Sequence, residues 1–210
     1  PAEGPVRTQI LGMPTPDKEQ QAQRVKNFMN YQLMDQMKEY EPEFDQMLFN
    51  LPLAGSTFKK VYYDELMQRA VSKFVPADDL VVPYTATSLD DCETIIHTVR
   101  MTENELRKQQ VGGFYRDIEV NPTHLNETEA ERKERALEGV SKGRDDRMFS
   151  ILECHTDLDL EGFEDVGQDG QPTGIKIPYI ITLEEGTRKI LSIRRNYEVG
   201  DLMKKKINYF

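Results

Sequence analysis

A glycine-containing stretch with six acidic side chains is the first candidate for chemistry. Hard cations such as Ca²⁺ and Mg²⁺ need several oxygen ligands from a tight loop. The stretch DLDLEGFEDVGQDG, residues 157–170, has such ligands, but it lacks the D-x-D-x-D-G spacing of an EF-hand and falls between two predicted strands. We therefore predict a solvated connection, and keep a metal-dependent hydrolase and a calcium-stabilised binding module as alternatives. The candidate ligands are Asp157, Asp159, Glu161, Asp165 and Asp169.

Nucleophilic and basic side chains also follow one another closely, at Cys154, His155 and Asp157. Adjacent residues of a strand point to opposite faces, so Cys154 and His155 cannot hydrogen-bond each other as nucleophile and base. His97 lies in another strand-like segment, and His124 precedes an acidic segment. We interpret all three histidines as packing or surface residues.

Motifs for catalysis and cofactor binding are absent from the sequence. It has no GxxxxGK[ST] loop, no GxGxxG, no HExxH and no GxSxG. Cys92 and Cys154 are the only cysteines and belong to no CxxC pair, so no zinc site is indicated. We expect both cysteines to be free thiols, because we expect the protein to be made in a reducing compartment. We predict that the protein is not an enzyme and binds no cofactor, and that any ATP-driven work is done by a partner.

Three consecutive lysines, Lys204, Lys205 and Lys206, could contact a DNA backbone or an acidic patch on a neighbouring subunit. The whole chain, however, has 27 basic and 37 acidic residues and a net charge of −10. Tight binding to phosphates needs lysine and arginine side chains that displace counterions. The charge therefore argues against tight DNA binding, and it is compatible with a surface past which DNA moves without being held.

The composition is polar for a chain of 210 residues: 38% are apolar, 30% are charged, and tryptophan is absent. The length corresponds to one large domain or two small ones. Two interpretations fit this composition, a thin fold whose faces are completed by neighbouring subunits, and a core with long solvated loops. No apolar run approaches the roughly 20 residues that a membrane-spanning helix needs, so we expect no membrane contact.

Helical patterns come early in the chain. Residues 1–16 form an extended lead-in with four prolines, and Asp17 opens a helix with one apolar stripe. Pro42 fits the first turn of a second helix, which ends at Pro52 and Gly55. The result is a helical hairpin with a methionine-rich seam.

Two further helices are indicated by capping boxes, in which a side chain before the helix and a glutamate three residues later exchange hydrogen bonds. Thr102 with Glu105 predicts a helix over residues 103–111. Asn126 with Glu129 predicts a short, mostly solvated helix that ends at Gly139.

Extended patterns dominate the rest, and they predict an α+β fold: an N-terminal helical hairpin followed by an antiparallel or mixed β-sheet with short helices. The predicted division is a lead-in (1–16), a helical hairpin (17–55) and an α+β domain with mostly antiparallel strands (56–210). The predicted strands cover residues 58–64, 70–75, 80–82, 95–101, 148–158, 175–183 and 189–197.

A series of phrases then occurs in a set order along residues 20–210. They are VKNFMNY (25–31), LAGSTFKKVYYD (53–64), PADDLVVPYTATSL (76–89), IIH (95–97), TENEL (102–106), ECHTDLD (153–159), PYIIT (178–182) and KILSIRRN (189–196). Together they resemble the wing region of portal (head-to-tail connector) proteins of tailed bacteriophages, of the long-chain type found in many short-tailed phages.

The resemblance implies a structural protein of the virion. Portal subunits form a ring, usually of twelve, at one capsid vertex, through which double-stranded DNA is packaged and ejected without sequence-specific binding. The implied partners are other copies of the chain, a terminase ATPase, and capsid and tail or adaptor proteins. The implied location is the tail vertex of the capsid, and the host cytoplasm during assembly.

Parts of such a subunit are not visible in this sequence. The long stem helices, the clip that binds the packaging motor and a C-terminal barrel have no counterpart here. We therefore expect the chain to be the wing portion of a longer protein.

Overall fold

The chain folds into two units, one that contains the helical hairpin and one that contains a five-stranded sheet. A computed structural model describes residues 4–65, 67–120, 148–167 and 169–210. The first unit comprises Pro1–Ala77 with Asn208–Phe210, and the second comprises Asp78–Ile207. The α+β class and the N-terminal helical hairpin are confirmed. The helix predicted to end at Gly139, and His124, lie outside the described residues.

The hairpin of the first unit consists of α1 (Pro16–Tyr31) and α2 (Tyr40–Ala54), joined through a π-helical turn. The Thr15 side chain caps α1 by accepting from the Lys18 backbone N–H, and Pro16 occupies the first turn, where its missing N–H is not needed. Helix α2 ends at Gly55, whose φ of 78° is the left-handed conformation that glycine adopts at little cost.

Strands β1 (Thr57–Asp64) and β2 (Arg69–Pro76) follow α2 and pair antiparallel. The last residues of the chain run beside β1. The backbone of Lys59 exchanges two hydrogen bonds with that of Phe210, and Val61 N–H donates to the Asn208 carbonyl. The first unit therefore contains both an early and a terminal segment of the sequence.

Two glutamates of the hairpin region lie against the outer edge of β2. Glu43 accepts from the backbone N–H of Phe74 at 2.7 Å, and Glu39 accepts from that of Ser72. Four residues along a helix and two along a strand both advance about 6 to 7 Å, so the two carboxylates match two successive outward N–H groups. These contacts cap edge donors that would otherwise be open to pairing with another strand.

The Glu39 contact predicts a dependence of stability on pH. Burial alone would raise the pKa of Glu39, but the Arg69 guanidinium at 2.5 Å and the backbone donors outweigh it and lower that pKa. Because the pKa of Glu39 is lower in the folded than in the unfolded protein, its ionised carboxylate stabilises the fold fully above about pH 4.5, the usual pKa. This stabilisation is lost as the pH falls through the pKa of Glu39 in the folded protein. We expect the free energy of unfolding of E39Q to fall less than that of the unsubstituted protein between pH 7 and pH 3, as measured by urea unfolding. E41Q, at an exposed neighbouring position, is the control. An equal loss of unfolding free energy in E39Q and the unsubstituted protein would contradict the prediction.

The sheet of the second unit is antiparallel throughout, in the order β3-β4-β5-β6-β7. The segment predicted at 148–158 forms a strand with those bounds, and the other predicted strands agree within about two residues at most ends. A small hairpin, β8–β9, follows the sheet. The strands are β3 (Leu80–Val81), β4 (Thr94–Thr102), β5 (Met148–Leu158), β6 (Ile177–Glu184), β7 (Ile190–Arg195), β8 (Tyr197–Glu198) and β9 (Asp201–Lys205).

One face of the sheet carries the core. Helix α3 (Glu103–Val111) starts with the predicted capping box of Thr102 and Glu105, which confirms that prediction. Leu106 of this helix and the segment after it pack over the sheet. The cluster consists of Met101, Leu106, Tyr115, Phe149, Ile151 and Leu191, with Val99, Phe114, Ile118 and Val120 at its border.

Candidate functional site

The acidic loop uses its carboxylates to hold its own backbone. Glu164 accepts from the Gly162 N–H, Asp169 accepts from the Gln171 N–H, and Asp165 accepts from the Thr173 hydroxyl at 2.8 Å. Backbone donors lower the pKa of Glu164, as expected for a carboxylate that accepts N–H bonds. These carboxylates therefore act as turn acceptors.

The candidate metal ligands do not come together as a site. Asp157 is on β5, Asp159 and Glu161 are in the following turn, and Asp165 and Asp169 make the separate bonds given above. Within the described parts of the chain, no group of three or more histidine, cysteine or acidic side chains is placed to hold a metal ion. Nothing in the described geometry therefore favours the hydrolase or the calcium-module alternative.

Asp157 is paired instead with Lys205 of the β8–β9 hairpin. Lys205 Nζ lies 3.1 Å from Asp157 Oδ2, and it donates to the carbonyls of Cys92 and Glu93 at 2.8 and 2.5 Å. Only 9% of the Lys205 side chain is exposed. Its ammonium thus ties β9 to β5 and to the connection before β4, which leaves little of it for DNA or a neighbour.

The two lysines beside Lys205 point to solvent. Lys204 pairs with Glu198 across the small hairpin at 2.7 Å, and this hydrogen bond raises the pKa of Lys204. Lys206 is exposed. Of the three candidate contact residues, Lys204 and Lys206 are therefore the accessible ones.

The anchoring role of Lys205 gives a stability prediction. We expect K205A to lower the free energy of unfolding by about 2 kcal/mol, because two carbonyls lose their donor and Asp157 loses its partner. The ion-pair part is modest, because Asp157 is partly exposed. K206A is the matched control and should change stability by less than about 0.5 kcal/mol. Urea unfolding measures both, and equal values for the two variants would contradict the assignment.

Cys154 and His155 lie on opposite faces of the sheet, as predicted. His155 is fully buried and Cys154 is half-buried, and both cysteines are free thiols. Burial, and then the charge of Glu153, raise the pKa of the Cys154 thiol. Cys154 therefore lacks the depressed pKa that marks an activated nucleophile.

His155 belongs to a polar network that the sequence did not reveal. Asn196 Nδ2 donates to the Lys206 carbonyl at 3.1 Å and lies 3.2 Å from His155 Nδ1. Since the amide nitrogen is a donor, His155 Nδ1 is the acceptor, and Nε2 carries the proton toward Glu153 Oε1 at 2.9 Å. The network links β5 to the segments on both sides of the small hairpin, and its role is structural. The alternation of Glu153 and His155 was the only signal of it in the sequence.

The face of the sheet opposite the core is covered at one end, where Ile177 and Tyr179 are 0% and 2% exposed, and its central part is apolar and only partly buried. The register aligns one row across all five strands, Val81–Ile96–Cys154–Ile181–Ile193, and a second row, Leu152–Leu183–Ile190. These side chains are half-buried in the centre and exposed at the edges, with Ile193 46% exposed. We call these eight residues the open face. The adjacent isoleucines of β6, Ile180 and Ile181, were the available sequence signal, because neighbouring strand residues place apolar groups on both faces.

The helical hairpin also exposes large apolar side chains. None of the sixteen described residues of α1 is buried, and none of the fifteen of α2 is buried. Phe49 and Leu53, one turn apart on α2, are 72% and 73% exposed. We call the following six exposed residues the hairpin surface: Val25, Phe28, Met29, Leu48, Phe49 and Leu53.

The chain has no match among the protein-family models or the curated proteins with which it was compared. The two apolar surfaces are therefore interpreted from their own residues. Within the described residues, every helix is too short or too polar to cross a bilayer. The open face and the hairpin surface are therefore the best candidates for function, as sites of contact with another protein surface.

Proposed function

We propose that this chain is the wing portion of a phage portal subunit, a structural piece of the ring through which DNA is packaged and ejected. It has no catalytic role in this proposal. A separate terminase supplies the ATP-driven work, and capsid and tail or adaptor proteins bind the ring. The location is the tail vertex of the virion, and the host cytoplasm during assembly.

The ordered series of sequence phrases is the observation that carries the proposal. These phrases run from the hairpin through β7, and they come in the order typical of portal wings. The α+β architecture, with a helical hairpin before an antiparallel sheet, is compatible with that order.

The two exposed apolar surfaces support a role in assembly. A monomeric soluble protein rarely leaves an apolar patch of several hundred Å² open to water. A subunit whose faces are covered by neighbouring copies needs such surfaces. The polar composition agrees, because part of the apolar packing is then supplied between copies.

Charge supports passage of DNA and not its retention. The net charge is −10, and the Lys205 ammonium is engaged inside the fold. Only Lys204 and Lys206 of the lysine run offer accessible positive charge, and Lys204 already has Glu198 as a partner. Any binding to DNA should therefore be weak and should disappear at moderate salt.

Electron microscopy of the full-length protein tests the proposal. The expected result is closed rings with a central hole, and in the infected cell the same protein at one vertex of the capsid. Full-length protein that never forms closed rings would contradict it. A monomeric 210-residue chain would not, because the stem of a longer subunit can supply most of the ring contact.

A further inference from the structure

We propose that the bulge between β6 and β7 builds a buried binding site for one water molecule, which bridges the hydroxyls of Thr182 and Ser192 and accepts a hydrogen bond from Arg194 Nε. The site lies on the core face of the sheet, beside the cluster that contains Ile151 and Leu191. It is independent of the proposed portal function, because it concerns how two strands of one unit are held together.

The pairing of β6 with β7 contains one extra residue on β7. Leu183 pairs with Ile190, but Thr182 pairs with Ser192, so Leu191 is a bulge residue with no partner of its own on β6. Because side chains alternate between the faces of a strand, one extra residue turns all the following residues of β7 to the opposite face. The bulge therefore decides which side chains of β7 enter the core.

The bulge turns polar side chains inward and an apolar one outward. In an uninterrupted pairing, Ile193 would lie opposite Ile180 on the core face. Ser192 and Arg194 would then lie on the other face. In the structure, Ser192 and Arg194 take the core face, and Ile193 lies on the open face, where it is 46% exposed. Since this arrangement forfeits the burial of an isoleucine, the inward polar groups need a partner that compensates for it.

The two hydroxyls that face each other across β6 and β7 are buried and lack a protein partner. Thr182 is 1% exposed and Ser192 is 8% exposed. Neither hydroxyl oxygen has a hydrogen-bond partner among residues 4–65, 67–120, 148–167 and 169–210. Residues opposite each other in an antiparallel pair have Cβ atoms about 5 Å apart, so one small molecule can reach both hydroxyls. Because a buried hydroxyl without a partner is destabilising, native folds satisfy such groups with ordered water where no protein group is near.

Arg194 supplies a third polar group on the same side of the sheet. It follows Ser192 by two residues, so its side chain leaves the strand on the same face. Its Nε atom is buried and, like the two hydroxyls, has no partner within the described residues. Its guanidinium carbon lies 4.0 Å from the centre of the Phe114 ring, and this contact holds the side chain over the core.

Water is the ligand whose chemistry fits these three groups. Arg194 Nε–H can only donate, whereas each hydroxyl can donate and accept. A water molecule can therefore accept from Arg194 and bond both hydroxyls, and three hydrogen bonds is about the usual number for a buried water. A cation would be repelled by the guanidinium. An anion would lie beside the carboxylate of Glu153, which is opposite Thr182 on β5 and only 16% exposed.

A crystal structure of the 210-residue chain and a double-mutant cycle together test the site. The expected density is a water peak within about 3.2 Å of both hydroxyl oxygens and of Arg194 Nε. The variants of the cycle are T182V, S192A and T182V/S192A. The matched control is the cycle of T94V, T156V and T94V/T156V, because Thr94 and Thr156 also face each other across two strands but bond directly, with 3.0 Å between their Oγ1 atoms.

We expect T182V and S192A each to raise the unfolding equilibrium constant about fivefold in urea unfolding, because either change removes a partner of the water. The double variant should also raise it by no more than about fivefold, since the same water is lost in all three variants. Independent effects would multiply to roughly 25-fold. The water peak should be missing from the structure of the double variant. The control pair should show coupling without a bridging water.

Three results would each overturn the proposal. The first is a direct hydrogen bond between Thr182 and Ser192 in the crystal structure, with no water beside them. The second is a single variant that is more stable than the unsubstituted protein, as expected when an unpartnered buried hydroxyl is removed. The third is multiplication of the two single effects in the double variant, which would mean that the hydroxyls have separate partners. If T182V does not fold, the crystal structure and S192A decide between the first two results and the bridging water.

Discussion

Replacement of Ile151 by alanine is expected to lower the free energy of unfolding of the sheet unit by about 3 to 4 kcal/mol. Ile151 is fully buried, and it packs in the cluster that contains Phe149, Leu106 and Leu191. The deletion removes three buried carbons and leaves a cavity between two sheet strands and α3, which rigid strands cannot close. Urea unfolding followed by the near-ultraviolet circular dichroism of Tyr115 and Tyr179, both buried in this unit, measures the effect.

The matched control for Ile151 is Ile193, an isoleucine of the same sheet that belongs to the open face. We expect I193A to cost less than about 1 kcal/mol in dilute protein, because its side chain is already partly in water. I151V should fall between the two, at about 1 kcal/mol. Equal costs for I151A and I193A would contradict the difference between the covered and the open face.

Replacement of Glu184 by alanine is expected to cost about 3 kcal/mol. This carboxylate is fully buried at the end of β6, and it accepts hydrogen bonds from the Gly186 N–H at 2.8 Å and from the Thr187 N–H and hydroxyl, both at 2.5 Å. The bonds hold the turn into β7, in which Arg188 adopts a φ of 55°. Without the carboxylate, the turn loses the acceptor that organises three donors at once.

Two neighbouring variants make the Glu184 prediction specific. E185A removes an exposed carboxylate from the next position and should change stability by less than about 0.5 kcal/mol. E184Q keeps one acceptor oxygen and replaces the other by a donor, so we expect roughly half of the alanine effect. The midpoints of urea unfolding rank the three variants, and an E184A midpoint indistinguishable from that of E185A would refute the role of Glu184.

The position of a residue in the sheet determines how its substitution should affect the proposed ring assembly. Ile151 and Glu184 stabilise the sheet, on which the open face depends. Substitutions at these two positions should impair ring assembly only as far as they unfold the unit. Substitutions on the open face should impair assembly while leaving the unit folded, and comparing the two classes separates scaffold from contact.

Much of the secondary structure was predictable because its signals are local. The capping box of Thr102 and Glu105 specifies the start of α3 through hydrogen bonds within four residues. Pro42 and Gly55 mark the first turn and the end of α2 because of their own backbone preferences. The opposite orientation of Cys154 and His155 followed from the two-residue period of a strand.

The tertiary structure decided which of the polar groups are used inside the fold. Lys205 looked like its neighbours in the sequence, but register and the return of β9 to the sheet place its ammonium against Asp157 and two carbonyls. Asn196 meets His155 across 41 positions, a pairing that no local pattern contains. Three of the acidic candidates were separated in the same way, because Asp157 pairs with Lys205 while Asp165 and Asp169 accept hydrogen bonds within their own loop.

The sequence by itself determined that the chain is an α+β fold with apolar strands and without a recognisable catalytic motif. It could not determine which apolar residues are covered, since burial depends on contacts between segments that are distant along the chain. The strand register aligned Val81, Ile96, Cys154, Ile181 and Ile193 into one apolar row, half-buried in its centre and exposed at its edges. That row exists only when five strands are in place, and for this reason the open face became visible only in the tertiary structure.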